Sequence, residues 1–265
     1  MAHDPLALLL HAGDAFAAQF RHAPGFEART TGESWFASAG EAHCLWNWAC
    51  LTGASAANVA TLHDVVARLR ERHIEGLVCY PPDAESGFAE TFRALGLDEP
   101  GVVPFMVLDA AGVPPLVPTD IAVERITGGE PERLAGAVAV VSNCFEIPAD
   151  QTARVFDVNH QDEPDARVHV ALRGGVVAGA LATTRLGDMV SIDIMAVDPA
   201  AQRQGIGRAL MLGVMHEHIA AGADGFHLLS STDGQRLYQQ LGFTTVLPTH
   251  TRLIPIDPIP PDRVV

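Results

Sequence analysis

The stretch Asp193–Arg208, DIMAVDPAAQRQGIGR, decides how this chain is read. An apolar, strand-like run from Ile192 to Val197 stops at Asp198-Pro199. Two glycines two residues apart follow within Gln202–Gly207, and a helix-like run, RALMLGVMHEHIAA, begins at Arg208. A strand that feeds a glycine-bearing turn into a helix N-terminus makes a cradle for an anion. The first helical N–H groups lack acceptors, the helix dipole places partial positive charge there, and glycine lets a phosphate approach the backbone. The turn is expected to hold a phosphate-bearing ligand.

Spacing narrows the ligand. A P-loop requires G-x-x-x-x-G-K-[ST], and neither that spacing nor the Lys-Ser/Thr pair is present. A dinucleotide fingerprint requires G-x-G-x-x-G, and Leu210 stands where its third glycine belongs. What remains is Q-x-x-G-x-G, flanked by Arg203 and Arg208 and placed directly after a strand that ends in V-x-P. This pattern resembles the acyl-CoA pyrophosphate loop of the GNAT N-acetyltransferase superfamily. A second match follows in order. GFHLLSS (Gly225–Ser231) reads as a short buried strand, and DGQRLYQQLGF (Asp233–Phe243) as a short helix closed by Gly242, a natural C-cap. The family pattern there is N-x-x-A-x-x-L-Y-x-x-x-G-F, which Leu237, Tyr238, Gly242 and Phe243 match. Ser231 replaces the usual Asn, and Gly234 the usual Ala. The resemblance covers about residues 121 to 256.

Several expectations follow from the resemblance. It implies an α/β fold with a mixed, mostly antiparallel central sheet flanked by helices, and acetyl-CoA as cosubstrate. The cofactor contacts would be Gln202, Arg203, Gln204, Gly205, Ile206, Gly207, Arg208 and Ala209 around the turn. Met195, Ala196 and Val197 would contribute on the preceding strand, which in the family splays open at a bulge, and Ser231 would add a hydroxyl. Tyr238 matches the family's general acid. Acyl transfer also needs a base for the amine, and Asp193 is the candidate. It alternates with Ile192 and Ile194, so its carboxylate should project from the opposite face to both isoleucines. Asp188, His160 and His169 are weaker candidates for the same role.

Composition agrees with this reading. The chain has 265 residues, no apolar run near the roughly 20 residues that span a bilayer, and no basic segment before LALLL. Cys44, Cys50, Cys79 and Cys144 form no C-x-x-C pair, so reduced thiols in a cytoplasmic protein are expected. A net charge of −15 disfavours nucleic acid and favours cationic small molecules. His216 and His218 stand two apart on a predicted helix, about 200° around its axis, so they cannot share an ion, and no metal is expected.

The chain reads as two halves. DAAGVPPLVPTD (Asp109–Asp120) looks like an extended linker, which gives an N-terminal domain over 1–115 and a catalytic domain over 119–265. In the second, helices are predicted at Glu130–Asn143 and Asp150–Val158. Strands are predicted at Arg167–Arg173, Val176–Thr184 and Met189–Val197, the first two joined by Gly174-Gly175. The first half echoes it: VARLRERHIEGLVCY then FAETFRALGL repeats the helix–strand–helix block, with Phe92, Leu95, Gly96 and Leu97 at the places of Tyr238, Leu241, Gly242 and Phe243. It has the form of a degenerate second GNAT module, because LTGASAANVATLHD holds no G-x-G and Phe92 has no hydroxyl. The expected function is direct transfer of an acetyl group to a small-molecule or peptide amine. Ser231 leaves a second class open: a regulatory module that holds acyl-CoA with little turnover.

Overall fold

A computed structural model describes residues 4–127, 129–156 and 165–259. The chain forms two compact units, Met1–Phe105 with Thr245–Val265, and Met106–Thr244. The first holds α1 (Pro5–Phe20), β1 (Glu27–Thr30), β2 (Ser34–Ser38), β3 (Asn47–Leu51), α2 (Ala56–Glu71), β4 (Gly76–Tyr80), α3 (Glu85–Leu95) and the start of β5 (Gly101–Asp109). The second holds β6 (Ile121–Arg125), α4 (Pro131–Phe145), α5 (Ala149–Val155), β7 (Ala166–Arg173), β8 (Val176–Leu186), β9 (Met189–Val197), α6 (Ile206–Ala220), β10 (Gly225–Leu229) and α7 (Gln235–Gln240). The last strand, β11 (Thr244–Ile254), returns the chain to the first unit.

That return moves the boundary. The proline-rich stretch was the expected divide, yet it lies wholly in the second unit, and the final strand belongs to the first. Pairing rather than composition decides the matter: His250–Ile254 of β11 lie antiparallel to Gly76–Tyr80 of β4, contributing ladder bonds that no linker signal records. The helix predicted over Asp150–Val158 is observed as Ala149–Val155, and its last two predicted residues lie outside the described ones.

Each unit is a mixed, mostly antiparallel sheet. In the first, β1–β2, β2–β3 and β4–β11 are antiparallel and β3–β4 is parallel. Alternation sorts its faces. Phe36, Ala49, Leu51, Val78 and Tyr80 pack against Leu62, Val65 and Leu69 of α2 and Phe88 and Phe92 of α3. Trp35 and Trp48 point the other way, onto Phe16 of α1. In the second, β6–β7, β7–β8 and β8–β9 are antiparallel and β9–β10 is parallel. Gly174 and Gly175 both take positive φ (58° and 81°) in the β7–β8 turn, the two-residue hairpin that Gly-Gly predicts. Its core joins Leu181, Val190 and Ile192 to Leu210, Met211, Val214 and Met215 of α6.

Candidate active site

The site grows from a defect in the β8–β9 ladder. Ala182 pairs with Ile194 but Thr183 pairs with Ile192, so Asp193 is the extra residue of a β-bulge and has no partner across the ladder. The bulge also changes which way the strand's side chains point. Val190 and Ile192 lie in the α6 core, and beyond the bulge Met195 and Val197 pack against it, whereas Ile194 does not. Ile194 therefore shares the face of Asp193, contrary to simple alternation. The expectation holds for Ile192 alone.

On that face the Asp193 carboxylate accepts two hydroxyl hydrogen bonds. Thr184 Oγ1 donates to Oδ2 at 2.8 Å and Ser191 Oγ to Oδ1 at 2.5 Å. Burial pushes its pKa up to about 6, while the Ser191 and Thr184 hydrogen bonds pull the other way. Neither hydroxyl is evident from sequence, because it is the cross-strand register Thr184↔Ser191 that brings both to one carboxylate. The weaker base candidates lie elsewhere. His169 is buried on the α6 face, its Nε2 2.9 Å from Glu217 Oε2, and Asp188 is exposed in the β8–β9 turn. His160 lies outside the described residues. His216 donates to the Pro114 carbonyl and His218 bonds the Thr183 hydroxyl, so the two point to different surroundings.

Past Val197 the chain makes the glycine-bearing turn that the sequence marks as a phosphate cradle. Asp198 Oδ1 accepts the Ala200 N–H at 2.8 Å, starting a short 3-10 turn over Pro199–Ala201. Arg203 and Gly205 then adopt positive φ (60° and 83°). Gly205 caps α6 without any side-chain hydrogen bond, and a Cβ built on it would meet nothing within 4 Å. The first bond of the helix is Ala209 N–H to the Gly205 carbonyl at 2.9 Å, which leaves the preceding N–H groups of α6 unsatisfied by the helix. Arg203 is exposed and Arg208 half-buried, and neither makes an ion pair among the described residues. Gly207 is different: its hydrogen faces Leu237 Cδ2 and Met195 Cε, where a Cβ would stand at 3.2 and 3.4 Å. One glycine stands in open space at the turn; the other lets α7 and β9 close against α6.

Tyr238 is 7% exposed in the same core, edge-on to Phe243 with ring centroids 5.9 Å apart. Its hydroxyl makes no hydrogen bond among the described residues, and burial pushes its pKa up to about 12. Gly234 explains its own departure from the family pattern, since a Cβ there would lie 2.8 Å from Tyr238 Cε2. Ser231 Oγ accepts the Gly234 N–H at 3.2 Å and so starts α7; its proton is left for another partner.

The first unit repeats the frame and alters its chemistry. Leu97 N–H bonds the Phe92 carbonyl at 3.1 Å, as Phe243 N–H bonds that of Tyr238 at 3.0 Å, and Gly96 and Gly242 both take positive φ (61° and 99°). At the counterpart of the phosphate turn, however, Ser55 caps α2 by accepting the Asn58 N–H at 3.2 Å. The same hydroxyl donates to Glu33 Oε2 at 2.7 Å, which sets a carboxylate beside that helix N-terminus.

Comparison with known proteins agrees with this geometry. A family model described as an acetyltransferase (GNAT) domain matches residues 164–245. A GCN5-related N-acetyltransferase from Kribbella flavida is similar at a TM-score of 0.65 and 16% identity, covering 92% of this chain and 94% of that one. A functionally unknown conserved protein from Staphylococcus epidermidis follows at 0.60 and 13%, covering 88% and 94%. A GCN5-related N-acetyltransferase from Sphaerobacter thermophilus follows at 0.59 and 14%, covering 87% and 82%. No curated protein matches the sequence. At such identities the structural likeness establishes the fold, and it extends across both units. The β7–α7 segment of the second unit, with its bulged strand and open turn, is the part of the chain that matches the GNAT acetyltransferase domain family.

Proposed function

We propose that the protein is an acetyl-CoA-dependent N-acetyltransferase acting on an amine by direct attack. The observation that carries this reading is the continuity of one strand: a bulge that releases a carboxylate at Asp193, then an open left-handed turn at Gly205 that bares the α6 N-terminus. The residues fit the cosubstrate. Backbone N–H groups from Gln202 to Ala209 would hold its pyrophosphate, with Arg203 and Arg208 adding charge, while Met195, Ala196 and Val197 would pair with its pantetheine arm. Ser231 offers one further donor.

Acetyl-CoA supplies an activated acyl thioester. Asp193, at a pKa of about 6, is mostly ionised at neutral pH and yet basic enough to take a proton from the attacking amine, directly or through water. A backbone N–H near Met195 or Ala196 would face the developing oxyanion. Tyr238 keeps its proton at any working pH. Because a phenol near 12 is a weaker acid than a thiol near about 8.5, its role toward the departing sulfur is hydrogen-bond donation before full proton transfer. The first unit, with its turn already capped by Ser55 and faced by Glu33, would bind no second cosubstrate.

The test measures thiol release from acetyl-CoA against a panel of small and peptide amines, beside acetyl-CoA binding by thermal shift. Binding with amine-dependent release is expected. Binding without release for any amine would favour the regulatory module, and absence of binding would sink both readings.

A further inference from the structure

We infer that Thr184 and Ser191 are positioning residues that hold the Asp193 carboxylate in one orientation, ready to accept a proton. The inference rests on the proposed role of Asp193, and its test is chosen to stand apart from turnover. Asp193 is the unpaired residue of the bulge, so the ladder fixes its backbone less firmly than that of its neighbours. The χ2 torsion of an aspartate is broad, and nothing intrinsic sets the plane of its carboxyl group. Two hydroxyls supply what the ladder omits. Thr184 reaches Oδ2 from β8 and Ser191 reaches Oδ1 from β9, one donor for each oxygen and each from a different strand. A carboxylate gripped at both oxygens cannot turn about its own axis without breaking a bond.

The hydroxyls have little else to do. Thr184 is 0% exposed and Ser191 5% exposed, and a buried hydroxyl is costly unless it is bonded. Among the described residues, Asp193 is the acceptor that both side chains find. In a strand pair surrounded by aliphatic residues, valine and alanine would fill these places at lower cost, so their polarity points to the carboxylate. The surroundings leave the pair in control. Across the parallel ladder His227 stands opposite Ser191, and among the described residues the influences on the Asp193 carboxyl are its burial and the hydrogen bonds from Ser191 and Thr184. Burial lifts its proton affinity and the two hydroxyls restrain that rise.

The experiment compares wild type with Thr184→Val, Ser191→Ala and the double variant, with Thr184→Ser and Ser191→Thr as hydroxyl-keeping controls. The Asp193 carboxyl is titrated by NMR on aspartate-labelled protein, assigned with Asp193→Asn, and folding is checked by circular dichroism. Each lost hydroxyl should raise the Asp193 titration midpoint by about one unit, as expected for a hydrogen bond to a charged group. The controls should stay near wild type. The acid limb of kcat/KM should move with the midpoint, giving the double variant a roughly two- to tenfold loss at pH 7 that recovers at higher pH. An unmoved midpoint in the folded double variant would overturn the positioning role, as would equal shifts in the hydroxyl-keeping controls. A midpoint that moves while the acid limb stays would remove Asp193 as base, and with it the catalytic meaning of the pair. If wild type turns over no amine, the proposed function fails, and the titration still decides whether the hydroxyls control the carboxylate.

Discussion

Replacing Asp193 by Asn tests the carboxylate from two sides at once, because the same burial that would suit it to the proposed role of base makes it a burden on folding. Its pKa rises from the ordinary 3.8 to about 6. The folded state thus binds its proton more tightly than the unfolded chain does. For a carboxyl group raised in this way the native state holds more protons between these two values, so stability falls as pH climbs from about 4 to about 6 and stays low above. A displacement of this size is worth at most about 3 kcal/mol, less any relief from solvent reaching the half-buried side chain. The replacement amide would carry no charge, and it can turn so that its oxygen accepts one of the two hydroxyls.

Two outcomes are expected together. Unfolded by urea at pH 8, Asp193→Asn should match or exceed wild type by up to about 3 kcal/mol, and the advantage should shrink to well under about 1 kcal/mol near pH 4, where the wild-type carboxyl is protonated in the folded state and about half protonated in the unfolded chain. Turnover should fall by about 10²–10⁴-fold, the usual worth of a general base, at every pH where wild type is active. A stabilised and inactive variant would mark the carboxylate as strain kept for chemistry. A variant whose stability follows pH as wild type does between 4 and 8 would show that Asp193 is not the titrating group. Intact turnover would refute its role as base.

Three further outcomes follow from the same geometry. Gly205→Glu places a side chain at φ 83° and a carboxylate beside the bared N–H groups, so acetyl-CoA affinity measured by calorimetry should fall by more than about tenfold through strain and charge repulsion; unchanged affinity in the folded variant would rule out the cradle. Tyr238→Phe deletes a buried hydroxyl without a hydrogen-bond partner among the described residues, so thermal stability should hold or rise slightly while kcat drops by about 10²-fold. Loss of stability with kcat intact would return this ring to the core alone. Finally, equilibrium dialysis should find one acetyl-CoA per chain, weakened by Gly205→Glu and untouched by Ser55→Ala, which should instead lower folding stability by about 1 kcal/mol through the lost cap; a second equivalent would contradict the reading of the first unit.

How much of this could be read from the chain depends on whether a feature is local. Gly205, the V-x-P strand end and the Gly96 and Gly242 caps are local: each fixes a backbone conformation within a few residues, and each stands where the pattern puts it. The bulge at Asp193 is not local. It exists only as a mismatch between 182–183 and 192–194, so neither strand alone reveals it, and alternation carried past it misplaces Ile194. The grip of Thr184 and Ser191 inherits that limit, as does the return of β11 to β4 from some 170 residues away in sequence. The two helix N-termini show the same division from the other direction. Sequence registers that the first lacks G-x-G, which is an absence. Structure supplies the positive cause: Ser55 satisfies the N–H of Asn58 from within, and Glu33, brought from a different strand connection, sets a negative charge beside the helix end. A phosphate arriving there would meet a donor already used and a carboxylate to displace, whereas at α6 it meets open space beside Gly205 and two arginines without ion pairs among the described residues. On the proposed function, two turns on the same frame would thus differ in ligand chemistry through a single capping hydroxyl and the side chain that it holds.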